Sequence, residues 1–464
     1  MKPREKCVFA FGLIFVTLTL SGCTMEDATA PSTQAAVVTA VPRSLAETVR
    51  HLAAGRGVTP LGRPEPVRPA LVRLGQMLLF DKELSGNRDI ACMTCHLPEL
   101  GTGDARSLAI GQGATGLGTA RVHPRAAFIP RNAPPLFNLT AFTSLFWDGR
   151  VSSRADGRTL SPAGRQITER MEKVFEFGPL SALGLFPVLS REEMRAFDGN
   201  ELAALPDEAR PAVWRALMKR LGRIPEYRRL FEAAYPGTPF DEMTFAHASN
   251  AMGGFLVERL TFDNTPWDRF LRGEDSALDE GQLLGAQTFL TIRCSLCHNG
   301  PAFTDNQFHN VAIAQFGPGQ GDGPLANDDF GRMRVTGLRS DRYRFRTTPL
   351  RNVTLTGPYG HNGAFADLRD FIDHYSESDL KLRSFDGLTL EPLLQGTLLP
   401  NAGAILETRD TILNGVVLPA AIVDQLTAYM SALTDPAAAH LGRLIPERVP
   451  SGLPIDRMAA APRR

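Results

Sequence analysis

Two pentapeptides constrain this chain more than its length does. Cys92-Met93-Thr94-Cys95-His96 and Cys294-Ser295-Leu296-Cys297-His298 both read C-x-x-C-H. Two thiols one helical turn apart, followed at once by an imidazole, are the signature of covalent c-type haem attachment. The thiols add to the haem vinyl groups and the histidine becomes the proximal iron ligand. A zinc site or a pair of disulfides is the competing use of these residue types. The cysteine count favours haem: of six cysteines, four lie in the motifs, and Cys7 and Cys23 lie in the N-terminal leader described below. Two attachment sites predict a repeat of two haem-centred units, organised around a cofactor as much as around side chains.

The apolar periodicity between the motifs is helical. Leu71, Leu74 and Leu78, and then Leu283, Ala286 and Leu290, place a helix before each motif. Phe245, Ser249, Met252 and Leu256 predict a third apolar face, and Leu426, Tyr429, Met430 and Leu433 a fourth. Asp279 with Gln282 has the spacing of a capping box. Period-two runs are scarce. With 42 Gly and 34 Pro the chain is loop-rich, and the Gly- and Pro-rich stretches 101–135, 316–329 and 387–414 are expected to be loops. The fold class expected is therefore all-α with long Gly/Pro-rich loops, divided near the Tyr235-Pro236-Gly237-Thr238-Pro239 linker.

The two ends differ in kind. Lys2, Arg4 and Lys6 precede an apolar run from Val8 to Leu20, too short to span a bilayer as a helix, which ends in Leu20-Ser21-Gly22-Cys23. This resembles a bacterial lipobox, so residues 1–23 are expected to be a lipoprotein signal ending at a lipidated Cys23. The mature chain would then sit on the periplasmic side of the envelope, as an outer-membrane lipoprotein touching the membrane through its acyl chains only. An ordinary secretory signal is the alternative, and it too exports the chain. Residues 24–66 are expected to be a flexible tether, with a short helix near Leu45 to Leu52. The remaining units are expected at 67–240 and 241–450. Lys+Arg and Asp+Glu both total 50, with no basic stripe, which argues against a nucleic-acid partner.

An electron-transfer cytochrome usually closes the sixth iron position, often with methionine. No methionine lies between His96 and Met171, and only Met333 lies within range of the second site. An open position at the first iron suggests chemistry on a small ligand such as peroxide rather than simple relay.

In this order, the motifs resemble the bacterial di-haem cytochrome c peroxidase family, including its MauG branch, from about Leu74 to Asp435. The segments that carry the resemblance are Leu74-Gly75-Gln76-Met77-Leu78-Leu79-Phe80-Asp81, Arg131-Asn132-Ala133-Pro134, Phe146-Trp147-Asp148-Gly149-Arg150, Arg191-Glu192-Glu193-Met194, Pro349-Leu350-Arg351-Asn352-Val353 and the stretch around Pro358-Tyr359-Gly360-His361. The resemblance implies two cytochrome c-like domains, with hydrogen peroxide reduced at the N-terminal haem and electrons delivered by the C-terminal haem. It implies two covalently bound haem c groups, held by Cys92, Cys95 and His96 and by Cys294, Cys297 and His298. Trp147 matches the tryptophan between the haems, and Glu193 the distal acid–base carboxylate. Asn132, with the Thr356 and Pro358 carbonyls, matches a bound Ca²⁺.

There are two departures from the family pattern. Leu183 stands where the family usually has a distal glutamine, and Tyr375 stands where ordinary peroxidases place the methionine ligand of the second haem, as in the MauG branch. A tyrosinate oxygen favours higher oxidation states of iron; His374 next door is a competing ligand. His123, nine residues before Asn132, is a candidate cap for the first haem. The expected activity is peroxide reduction, with electrons from a small donor protein or from an oxidised protein or organic substrate. The alternative is a di-haem electron carrier or redox sensor without turnover.

Overall fold

The computed structural model describes residues 44–125 and 127–458. The expected signal, Cys23 and the start of the tether lie outside the described residues. Among the described residues the chain is predominantly helical, with two small antiparallel ribbons, and no helix is long and apolar enough to cross a membrane.

The two halves repeat one packing device. Pro69–Phe80 forms the helix that Leu71, Leu74 and Leu78 predict, with proline in its first turn. It lies against Phe245–Arg259 so closely that a Cβ on Gly75 would come within 2.0 Å of the Ala251 carbonyl oxygen. Glu280–Thr291 starts on the expected Asp279/Gln282 capping box and packs on Ala420–Ala432. There a Cβ on Gly285 would come within 2.1 Å of the Gln425 carbonyl. Glycine at the crossing lets the backbones approach, and each crossing delivers the chain to an attachment motif.

The clusters of buried side chains do not follow the expected division near residue 240. Phe245–Arg259 belongs to the first core with Leu74, Leu78 and Phe80, and Ala438, Leu441, Ile445 and Val449 return to that same core near the end of the chain. Within the expected tether, Leu45–Gly55 forms a helix closed by a Ser44/Glu47 capping box, and its Val49 and Ala53 are buried in the second core with Phe289 and Leu426. The expected 387–414 loop also contains a helix, Ala402–Glu407, tied through buried Ile405 to Ala312 and Tyr343.

The ribbons meet between the halves. Ser144–Leu145 pairs with Val151–Ser153, so residues 146–150 form the hairpin tip. Phe308–His309 pairs with Phe345–Arg346 in the other half. The Arg346 amide donates to the Trp147 carbonyl at 2.9 Å, joining the second ribbon to that tip.

Candidate active site

Each motif forms a single helical turn, Cys92–Cys95 and Cys294–Cys297. The next residue hangs its amide on the first cysteine's carbonyl, His96 on Cys92 at 3.1 Å and His298 on Cys294 at 2.9 Å. In both, Nδ1–H donates to a backbone carbonyl at 3.0 Å, Thr102 for His96 and Phe303 for His298. A carbonyl only accepts, so the proton sits on Nδ1 and Nε2 keeps its lone pair for a metal. Burial lowers the pKa of both imidazoles, favouring the neutral ligand form. Burial likewise pushes the Cys92 and Cys294 thiols up to about 12.

Each motif opens on a cavity. The one holding Cys92, Cys95 and His96 has a volume of about 180 Å³ and is also lined by Leu183, Glu193, Met194 and Met252. The one holding Cys294, Cys297 and His298 measures about 370 Å³ and is also lined by Tyr375, His361 and Met430. Asn132, Pro134, Pro135, Trp147 and Arg346 line both. Trp147 is buried at the hairpin tip, and its Nε1–H donates to the Asn132 carbonyl at 2.9 Å.

These residues fit haem. Besides the paired thiols and oriented imidazoles, the wall holds Arg346, whose buried Nη1 has no hydrogen-bond partner. Burial pushes its guanidinium down to about 10, with no carboxylate to oppose the effect. A carboxylate-bearing cofactor on either side of that wall would supply the missing counter-charge.

Glu193 projects from the turn Arg191–Arg195, with its amide on the Ser190 hydroxyl at 3.2 Å. Its pKa is raised: burial drives it up and Glu192 adds to that, while Arg150 and Arg131 oppose. Tyr375 follows the helix Leu368–His374 and lines the larger cavity. Burial and then the Cys297 and Cys294 thiols raise its pKa, so in the bare cavity it stays a phenol. His374 instead engages the Val311 carbonyl at 2.8 Å and lies outside the cavity lining. His123 also lies outside both linings; its Nδ1 accepts from the Arg125 and Ala127 amides at 3.1 and 3.4 Å.

Asn132, Thr356 and Pro358 all line the larger cavity. The Asn132 Nδ2 donates to the Arg106 carbonyl, which leaves Oδ1 for another partner. The Thr356 and Pro358 carbonyls accept no hydrogen bond among the described residues. Three uncommitted neutral oxygens in one cavity lining are of the donor type that a hard cation such as Ca²⁺ takes.

Spacing arguments miss several cavity residues. Met194 and Met252 reach the first site, and Met430 the second, from segments remote from either motif. Met333, the methionine in range, lines neither cavity. Arg346 has no sequence signal beyond its place in an arginine-rich stretch.

A helical chain with two C-x-x-C-H cavities sharing one tryptophan wall defines a di-haem c-type protein. Residues 69–276 match the di-haem cytochrome c peroxidase family. Cytochrome c551 peroxidase of Pseudomonas aeruginosa is 30% identical over 312 residues, covering 67% of this chain and 72% of that protein. Methylamine utilization protein MauG of Methylorubrum extorquens is 27% identical over 380 residues, covering 81% and 84%. Among solved structures, a MauG-like protein associated with microbial copper homeostasis aligns with a TM-score of 0.59 at 24% identity, over 85% of this chain and 98% of that one. The diheme peroxidase BthA of Burkholderia thailandensis aligns with a TM-score of 0.54 at 20% identity, over 83% and 92%. These two likenesses bear on the fold alone.

The chain belongs to the di-haem cytochrome c peroxidase family. It is an oxidoreductase of that family, whose membership implies two haem c groups, hydrogen peroxide as oxidant and an electron donor.

Proposed function

We propose that the first attachment site is the peroxide site and the second, with Tyr375 as its distant iron ligand, stores and passes oxidising equivalents in the MauG-like manner. The observation that carries this reading is Trp147, which lines both cavities while its indole and its carbonyl are each fixed by a hydrogen bond. Haem bound at the first site supplies the metal centre at which the O–O bond breaks, so that peroxide, two electrons and two protons become two waters. Glu193 then has one task, taking a proton from one peroxide oxygen and returning it to the oxygen that leaves. Its raised pKa brings the carboxylate nearer to the acidity that such a shuttle needs.

Leu183 and Met252 share the lining with Glu193, and the polar side chains there include Asn132, Gln320 and the guanidinium groups of Arg131, Arg150 and Arg346. As a ligand, Tyr375 would give an anionic oxygen where the ordinary peroxidases have methionine, which favours oxidation of a protein or organic substrate over simple peroxide removal. Asn132, with the Thr356 and Pro358 carbonyls, would hold a calcium ion, a hard cation suited to neutral oxygens. The mature chain is anchored at Cys23 and faces the periplasm.

The test is the ferric spectrum before and after one equivalent of peroxide, in wild type and Tyr375→Met. One high-spin and one low-spin haem, both altered by peroxide without prior reduction, is the expected result. Tyr375→Met should raise the potential of the second haem and make prior reduction necessary. A second reading, an electron carrier without turnover, draws on Met194 and Met252: either thioether would close the first iron's open position. Two low-spin haems indifferent to peroxide, even when half-reduced, would establish it.

A further inference from the structure

The hairpin tip that carries Trp147 is held by more than its own turn. On one side, Trp147 Nε1–H donates to the Asn132 carbonyl. The residues next to these two, Arg131 and Asp148, form an ion pair with Nη1 to Oδ2 at 2.7 Å. The indole bond and the ion pair are thus successive rungs between the same two strands of chain. The other edge of the Arg131 fork engages Asp329 of the second half bidentately, Nε at 2.6 Å and Nη2 at 2.8 Å. All three side chains are buried.

Asp329 is itself immobilised. Its main chain is gripped at both amide and carbonyl by the Gln315 side chain, each at 2.8 Å, and the Gly331 amide adds to its carboxylate at 2.9 Å. Arg150 completes a neutral quartet by reaching Asp148 at 3.2 Å, and Arg332 holds the Asp148 and Gly149 carbonyls. Burial opposes ionisation of Asp148, yet Arg131 and then Arg150 hold it well below the usual carboxylate range.

We propose that Arg131, Asp148 and Asp329 are positioning residues for Trp147, an ionic clamp reaching across the two halves of the chain that fixes where the indole lies between the two attachment sites. A planar guanidinium sharing both edges with carboxylates fixes orientation as well as distance, which an apolar contact of equal size does not. The inference rests on the reading of Trp147 as the relay between the sites.

The experiment compares wild-type holoprotein with Asp329→Asn, Arg131→Lys, Trp147→Phe and the Asp329→Asn/Trp147→Phe double variant. Ultraviolet resonance Raman reads the indole hydrogen bond, with Trp147→Phe identifying the band. Stopped flow reads the delay between peroxide binding at the first haem and the optical change at the second. Asp329→Asn is expected to weaken the Trp147 indole bond and to slow the second-haem response about tenfold, in line with the cost of a sub-ångström misplacement. Peroxide association should stay unchanged. Arg131→Lys keeps the charge, loses the fork and should slow the response similarly.

In the Trp147→Phe background, Asp329→Asn should add nothing. The clamp is overturned if Asp329→Asn and Arg131→Lys leave both readouts as in wild type. It is equally overturned if Asp329→Asn slows transfer as much without Trp147 as with it. If Trp147→Phe itself leaves transfer unchanged, the relay reading fails instead, and the indole band alone decides whether the clamp positions the ring.

Discussion

Asp268 and Arg351 form an ion pair at 2.6 Å in which neither side chain has any solvent exposure. The Asp268 carboxylate also accepts from the Thr265 amide and hydroxyl and from the Leu61 amide, so four donors satisfy it. Arg351 donates through Nε to the Pro301 carbonyl at 2.6 Å and lies over Phe303. Phe303 supplies the carbonyl that orients His298. Asp268→Asn keeps the shape and removes the charge, leaving a guanidinium buried without a counter-ion. Breaking a buried pair on one side costs about 3–5 kcal/mol. At ~2 °C per kcal/mol for a chain of this size, the midpoint should fall by roughly 6–10 °C. Replacing both partners, Asp268→Leu with Arg351→Met, should recover all but ~1–2 kcal/mol, the remainder being the lost Thr265 cap. Urea titration followed by tryptophan fluorescence gives the free energies, and absorbance of the second haem shows whether His298 loosens first. A loss below ~1 kcal/mol in Asp268→Asn, or a double variant no better than the single, would refute the argument that the charge is stranded.

Glu193→Gln should lower peroxide turnover by about 10²–10⁴-fold, the usual share of a positioned acid–base group. Because the folded carboxyl titrates above its ordinary value, wild-type turnover should decline as pH falls through that raised pKa; the Gln variant, measured by the same peroxide assay, should lose this acid limb. Asn132→Ala, or dialysis of wild type against a calcium chelator, should lower the thermal midpoint, and added Ca²⁺ should restore wild type and not the variant. His309 stands between Asp305 and Asp410, whose carboxylates, Asp305 first, raise its pKa above the ordinary value. Its unfolded value is about 6.5, so its stabilisation should be full below pH ~6.5 and fade as pH climbs through the raised value. Replacing it by Asn should flatten that slope in denaturation curves taken across this range.

What was legible in the sequence is what obeys a local rule. The attachment turns, the helices at Pro69–Phe80 and Glu280–Thr291, and the Asp279 cap each follow from residues a few positions apart. Glu193 and Tyr375, singled out by motif order, line the first and the second cavity. Long-range pairings were invisible. Arg131 meets Asp329 across 198 positions, and no periodicity marks which carboxylate a buried arginine will choose. Met252 was legible as part of an apolar helical face, yet that pattern does not tell a core methionine from one lining a cavity. Val49 looked like tether because the chain around it is Ala-, Thr- and Pro-rich, and only the second core explains its burial.

The crossed ends of the chain bear on how such a protein matures. Asp456 accepts from Thr94 inside the first attachment turn and pairs with Lys82 at 2.7 Å, while Ser451 binds Asp81. At the opposite end, the helix Leu45–Gly55 belongs to the second core. The first motif is therefore synthesised long before the segment that straps it, and the first helix waits for a partner synthesised hundreds of residues later. The turn that carries Cys92 and Cys95 gains its contact to Asp456, and Asp81 its contact to Ser451, only when that last stretch of chain has been made. A chain shortened by twenty residues at its C-terminus should still acquire haem at both motifs, yet leave the first one without that strap.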